Sequence, residues 1–77
     1  MDIGHLTKLA NNIGAFFEAE RDRAKAVQGV ANHLRSFWEP RMRRQIFVHL
    51  DEKNGEGLSP IVIEALQSYR KELTPAG

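Results

Sequence analysis

The stretch of this chain that comes nearest to a chemical site is Asp51–Gly57, DEKNGEG, which lies between two helical patterns and mixes acidic residues with Asn and Gly. Such a run invites comparison with a calcium loop, where oxygen ligands recur at fixed positions. With Glu52 as position 1, Asn54, Glu56 and Gly57 fall at positions 3, 5 and 6. The pattern then fails. Position 8 is Ser59, position 9 is Pro60, and position 12, which should be a bidentate Glu, is Ile63, with Glu64 one place late. The run reads as an ordinary flexible loop. The three histidines, His5, His33 and His49, have no metal-ligand spacing, and the absence of cysteine removes thiolate chemistry. There is no phosphate-cradling Gly-rich loop and no grouping of Ser, His and carboxylate that spacing would force together. The acidic residues sit singly on polar faces, which gives no pair for general acid and base work. The residues therefore predict no catalytic site, no metal site and no cofactor.

What remains is the chemistry of recognition, concentrated in His33–Leu50, HLRSFWEPRMRRQIFVHL. This stretch holds the only Trp, two of the four Phe and a run of arginines around Pro40. The residue before a proline is pushed out of the α region, and proline fits the first position of a new helix. One helix should end near Trp38 and another begin at Pro40, setting Phe37 and Trp38 beside Arg41, Met42, Arg43 and Arg44. Aromatics, Met and Arg are the types that anchor protein interfaces. The competing reading is that Phe37 and Trp38 are core and the arginines a solvated face, since a small bundle needs its largest side chain inside.

Length and charge set the bounds. At 77 residues the chain is one helical domain, 1–77, that buries only about 60% of its unfolded surface and gains from a partner or from self-association. Without cysteines it rests on packing alone. Eleven basic and ten acidic residues leave a net charge of +1, so any electrostatic recognition is local. No apolar run approaches the ~20 residues of a membrane span, and the start MDIGHLTK lacks the order of a signal peptide. The expectation is a soluble, cytoplasmic protein with no membrane partner.

Four periodic segments position these residues. Ile3, Leu6, Leu9, Ala10, Ile13, Phe16 and Phe17 share one stripe of a helix over 2–19, with Thr7, Asn11 and Asn12 on the polar side. Gly14 inside it either marks a closely packed neighbour or is simply tolerated there. Asp22 is a plausible N-cap for a helix over 22–38, whose stripe is Val27, Val30, Ala31, Leu34, Phe37 and Trp38, with His33 at its edge. A third helix over 40–51 carries Met42, Ile46, Phe47, His49 and Leu50 on one side, with Arg43 projecting the same way, and Arg41, Arg44 and Val48 on the other. Ser59 and Pro60 make a strong start for a fourth helix over 59–73, with Ser59 as N-cap. Its stripe is Val62, Ala65, Leu66, Tyr69 and Leu73, with Ile61 and Ile63 on its flanks; residues 74–77 should fray. The sum is an all-α bundle of four short helices. Ile46, Phe47 and Val48 in succession, and the apolar first turn of the fourth helix, exceed what one core face requires.

Two functional classes fit. One is an accessory subunit that docks the Pro40 corner and the apolar excess of the third and fourth helices on a protein. The other is a small nucleic-acid binder using Arg35, Arg41, Arg43 and Arg44. The nearly cancelled charge speaks against a nucleic-acid footprint. The candidate interface comprises Phe37, Trp38, Arg41, Met42 and Arg44, together with Phe47, Val48, Ile61 and Ile63, each of which could instead belong to the core or support the surface from beneath. Surplus apolar surface would also let the isolated chain form a homodimer.

The runs LTKLANNIGAFFEA, HLRSFWEPRMRRQI and GEGLSPIVIEAL resemble the delta subunit of soluble, NAD-dependent, molybdenum-containing formate dehydrogenases, in the same order and from about Leu6 to Leu66. The most distinctive part is His33 and Leu34 followed by Phe37, Trp38, Pro40, Arg41, Met42 and Arg43. The resemblance implies a non-catalytic small subunit. The molybdopterin, iron–sulfur clusters, flavin and NAD site of such complexes belong to the larger alpha, beta and gamma subunits. It further implies association with the molybdenum-bearing catalytic alpha subunit, in support of assembly or stability of the active complex.

Overall fold

In the computed structural model, which describes residues 2–75, the four longer helices begin where the sequence supplies a start signal. Asp2 caps α1 (Ile3–Phe17) by accepting from the His5 backbone N–H, and Asp22 caps α2 (Arg23–Phe37) by accepting from those of Ala24 and Lys25. Both satisfy amide donors that have no partner within the helix. Pro40 opens α3 (Pro40–Lys53) after Trp38 and Glu39 take up extended backbone, the corner expected from the Trp-Glu-Pro sequence. Pro60 opens α4 (Pro60–Ser68). At Tyr69 the backbone departs from the helix (φ −116°, ψ 26°), so the single helix expected over 59–73 is two, with a short α5 (Arg70–Leu73) completing it. The architecture is an all-helical bundle, one element more than the four foreseen.

The break at Tyr69 has a packing consequence. It delivers Leu73 to the core at 1% exposure and presents its carbonyl to Arg43, whose Nη1 donates at 3.1 Å. Thr74 closes α5 by donating both its N–H and its Oγ1–H to the Arg70 carbonyl. Of the tail expected to fray, Ala76 and Gly77 lie outside the described residues.

The core is centred on α2 against α4, with α1 contacting α2, α3 and α4. Val27, Val30, Ala31 and Leu34 of α2 and Ile61, Val62, Ala65 and Leu66 of α4 are buried; Leu6 and Ala10 come from α1 and Ile46, Phe47 and Leu50 from α3. The face of α1 that turns inward keeps most of the expected stripe, with Ile3, Leu9, Ile13 and Phe17 half-buried against the core, but its centre is shifted and Phe16 is left out of it. Its buried residues are Leu6, Ala10 and Gly14, with Thr7 and Asn11 half-buried, while Phe16 is 75% exposed. Successive residues step ~100° around a helix. The buried centre therefore lies on the small residues rather than midway between Leu9 and Phe17. The reason is the approach of α4: a Cβ on Gly14 would stand 2.9 Å from Ile61 Cγ2 and 3.0 Å from Val62 Cγ2. Two helices meet this closely only where one has no side chain.

The loop between α3 and α4 is held rather than loose. Asn54, Gly55 and Gly57 all have positive φ, which suits Asn and Gly and turns the chain sharply. Gly55 is buried against Leu50 and Ile63. Asn11, expected on the polar face of α1, clamps the loop with both ends of its amide: Nδ2 donates to the Gly57 carbonyl and Oδ1 accepts from the Ser59 N–H, each at 2.8 Å. His49 Nε2 donates to the Glu56 carbonyl at 2.6 Å, an acceptor that requires the proton on Nε2. Ser59 occupies the N-cap position of α4, but its hydroxyl makes no capping bond and lies buried by Gly14 without a hydrogen-bond partner.

Two outcomes follow from this packing. Replacing Gly14 with Ala adds a methyl where Ile61 and Val62 already touch. Overpacking of about 1–3 kcal/mol outweighs the ~1 kcal/mol of helix propensity gained. A net loss of up to about 2 kcal/mol should lower the thermal midpoint, at ~4–8 °C per kcal/mol for a domain this small, as read by circular dichroism. The second outcome concerns Asp51, which accepts both guanidinium arms of Arg70 and whose carboxyl is thereby held below its ordinary value, by that hydrogen bond first, against an opposing desolvation next in size, with the Arg70 charge adding last. A lowered folded-state value means that the pair's contribution is complete above the unfolded carboxyl's pKa and disappears as pH falls through the folded one. Asp51→Asn should therefore sit a small, constant interval below the native protein in melting temperature near neutrality. Below about pH 4 the two should converge; parallel curves down to pH 2 would refute the linkage.

Candidate docking surfaces

The residues singled out around Pro40 separate on folding. Trp38 is 6% exposed, Phe47 6% and Ile61 1%, so three of the expected interface residues are core. Each has an internal partner that the helical pattern alone did not supply. Trp38 ends α2 in extended backbone and joins the main cluster. Phe47 lies beneath the Arg70 guanidinium, 4.9 Å from its ring centroid, which is held there by Asp51. Ile61 fills the gap at Gly14. Ile63 and Met42 are half-buried and pack on the core from its edge, Ile63 beneath Gly55. The apolar excess of α3 and α4 is thus largely taken up by the chain's own loop and by α5.

Of the α3 residues expected at an interface, those that stay outside are Arg41, Arg44 and Val48, on one face at steps of three and four residues, with Val48 51% exposed. The arginines of the chain divide by use. Arg23 pairs with Glu64 at 3.0 Å, Arg70 with Asp51, and Arg43 serves the Leu73 carbonyl with its Nε buried. Arg41 and Arg44 stand outside both ion pairs found among the described residues. Arg43 is consequently part of the fold, which engages one of the four arginines that a nucleic-acid binder would use. Beside Val48 runs a shallow groove lined by Ile3, Gln45, His49, Glu52 and Lys53.

A second surface was only half visible in the sequence. Phe37, the last residue of α2, is 73% exposed, although its angular position belongs to the buried stripe. Together with Phe16 it borders an aromatic strip running across α1 and α2. Phe16 meets Phe17 edge-on at 5.1 Å, Phe17 meets His33 at 6.5 Å, and His33 meets Phe37 at 4.7 Å between centroids. Gly29 makes the strip, since a Cβ there would stand 2.5 Å from the Phe17 ring. The ring lies on bare backbone and Phe16 is left pointing outward. The signals for this arrangement were the small residues Ala10, Gly14 and Gly29, which mark where helices meet closely and so which way the larger ones turn.

Among the described residues no three His, Asp or Glu side chains converge as metal ligands do, and no helix is long and apolar enough to cross a membrane.

Compared with known proteins, the chain matches no curated protein and no solved structure. It does match the family model described as NADH-dependent formate dehydrogenase delta subunit FdsD, over residues 5–66. That span runs from the first turn of α1 through the Pro40 corner and the clamped loop to Leu66 in α4. The resemblance drawn from the FWEPRMR run and its flanking segments is thereby confirmed over most of the chain, and the protein belongs to the FdsD family of formate dehydrogenase delta subunits.

Proposed function

We propose that this chain is a non-catalytic accessory subunit that docks on the molybdenum-bearing catalytic alpha subunit of an NAD-dependent formate dehydrogenase in the cytoplasm and supports assembly or stability of the active complex. Membership in the delta-subunit family supplies the class of partner. The observation that carries the reading is the exposed face of α3, where Arg41, Arg44 and Val48 lie together while Arg23, Arg43 and Arg70 are engaged internally. Arginine beside an aliphatic side chain suits a protein surface offering carboxylates around an apolar patch. Met42 and Ile63, half-buried, lie at the edge of the core, and Trp38, Phe47 and Ile61 support the surface from within.

The test is co-expression with the large subunits. Arg41→Ala with Arg44→Ala should reduce recovery of the catalytic subunit on the tagged small chain by about tenfold, equivalent to ~1.4 kcal/mol, while helicity and melting temperature stay put as expected of exposed positions. Formate-dependent NADH production and bound molybdenum in the lysate should fall in step when the chain is omitted. Unchanged recovery of the double variant would exclude this face, and unchanged activity without the chain would exclude a supporting role.

A further inference from the structure

The aromatic strip on α1 and α2 has properties that the arginine face lacks. Two adjoining shallow grooves of about 300 and 350 Å³ share Phe17 and His33 as their floor, one bordered by Phe16 and the other by Phe37. Their remaining lining is Asn12, Ile13, Gly29, Asn32 and Ser36. No Asp, Glu, Lys or Arg is among the residues lining either groove, in a chain where 27% of residues carry those charges. Depletion of charge around exposed aromatics is what distinguishes the centre of a protein interface from ordinary surface.

The rim strengthens the case. Asn12 and Asn32 are exposed within helices, where Asn is a poorer helix former than Lys, Glu or Gln. Neighbouring Asn11 uses its whole amide on the loop, whereas the side chains of Asn12, Asn32 and Ser36 make no hydrogen bond to any described residue. Neutral amides and a hydroxyl beside an apolar floor match a polypeptide backbone that brings uncharged side chains. They do not match phosphates, acidic peptides or anionic headgroups, each of which calls for Lys or Arg.

We infer that the groove between Phe16 and Phe37 receives an uncharged, apolar segment of the large catalytic subunit, with an aliphatic side chain seated on Phe17 and His33 and its backbone met by Asn12, Asn32 and Ser36. This rests on the accessory-subunit reading and adds a second contact to it, independent of Arg41 and Arg44 and different in its response to salt. An arginine contact weakens as ionic strength rises; an apolar one does not.

The experiment compares native chain with Phe16→Gln plus Phe37→Gln, tagged and co-expressed with the large subunits, at low and at high salt. Both positions are about three-quarters exposed, so the melting temperature should not fall and folding is controlled. Recovery of the catalytic subunit should drop at least tenfold at both salt concentrations, whereas the Arg41 and Arg44 variant should lose ground chiefly at low salt. Native chain that captures the catalytic subunit and a Phe variant that captures it equally would overturn the inference and leave the docking reading intact. Native chain that captures nothing would overturn both. Sedimentation of the isolated chain closes the remaining route: a native dimer that the Phe substitutions dissociate, with capture of the large subunit unaffected, would assign the groove to a second copy and overturn the proposal.

Discussion

The contact of α1 with α4 at Gly14 is the constraint from which the rest of the surface follows. Ile61 and Val62 approach the α1 backbone where no side chain intervenes, and the helix must turn Leu6, Ala10 and Gly14 inward to allow it. That rotation draws Asn11 to the α3–α4 loop, where its amide satisfies a carbonyl and an N–H that the positive-φ turn leaves unpaired. The same rotation carries Phe16 out into solvent. An interior clamp and an exterior aromatic are thus two results of a single close packing.

A domain of this size, without disulfides, has little apolar area in reserve. Here polar side chains complete what the core cannot. Arg70 covers Phe47 while Asp51 holds it in place, and Arg43 serves the carbonyl of the last core residue, Leu73. These arginines add little as charges, since an exposed pair such as Arg70 with Asp51 is screened by solvent and Arg43 bonds a neutral carbonyl. Their effect is steric and local: an aliphatic stem and a planar head shield apolar surface that would otherwise face water. Because Arg43 and Arg70 are used in this way, Arg41 and Arg44 are the arginines of α3 that stay exposed and outside both ion pairs found among the described residues.

The two exposed surfaces differ in kind. The α3 face combines positive charge with Val48, and the α1–α2 strip is aromatic with a neutral polar rim. A subunit held by both would combine orientation by charge with salt-resistant apolar contact, a division of roles common at protein interfaces. Membership in a family of delta subunits accords with such surfaces, since a chain built for a complex keeps apolar groups outside that an independent protein would bury or replace.

Much of the architecture could be read from local sequence because its signals are local. Asp2, Asp22, Pro40 and Pro60 act on their own backbone neighbours, and the helices begin where those residues stand. The family likeness was equally legible, since the FWEPRMR run is a string of residue types. Only the tertiary structure decided which side of each helix faces inward, which arginine is structural, and which aromatic is exposed. Phe37 has the angular position of a core residue, yet at the end of its helix it meets the His33 ring and stays largely exposed, while Trp38, the next residue, is inside. Periodicity specifies the direction of a side chain from its own axis. Whether anything lies in that direction depends on where the other helices cross, and that was set by glycines whose effect appears only when a second helix arrives.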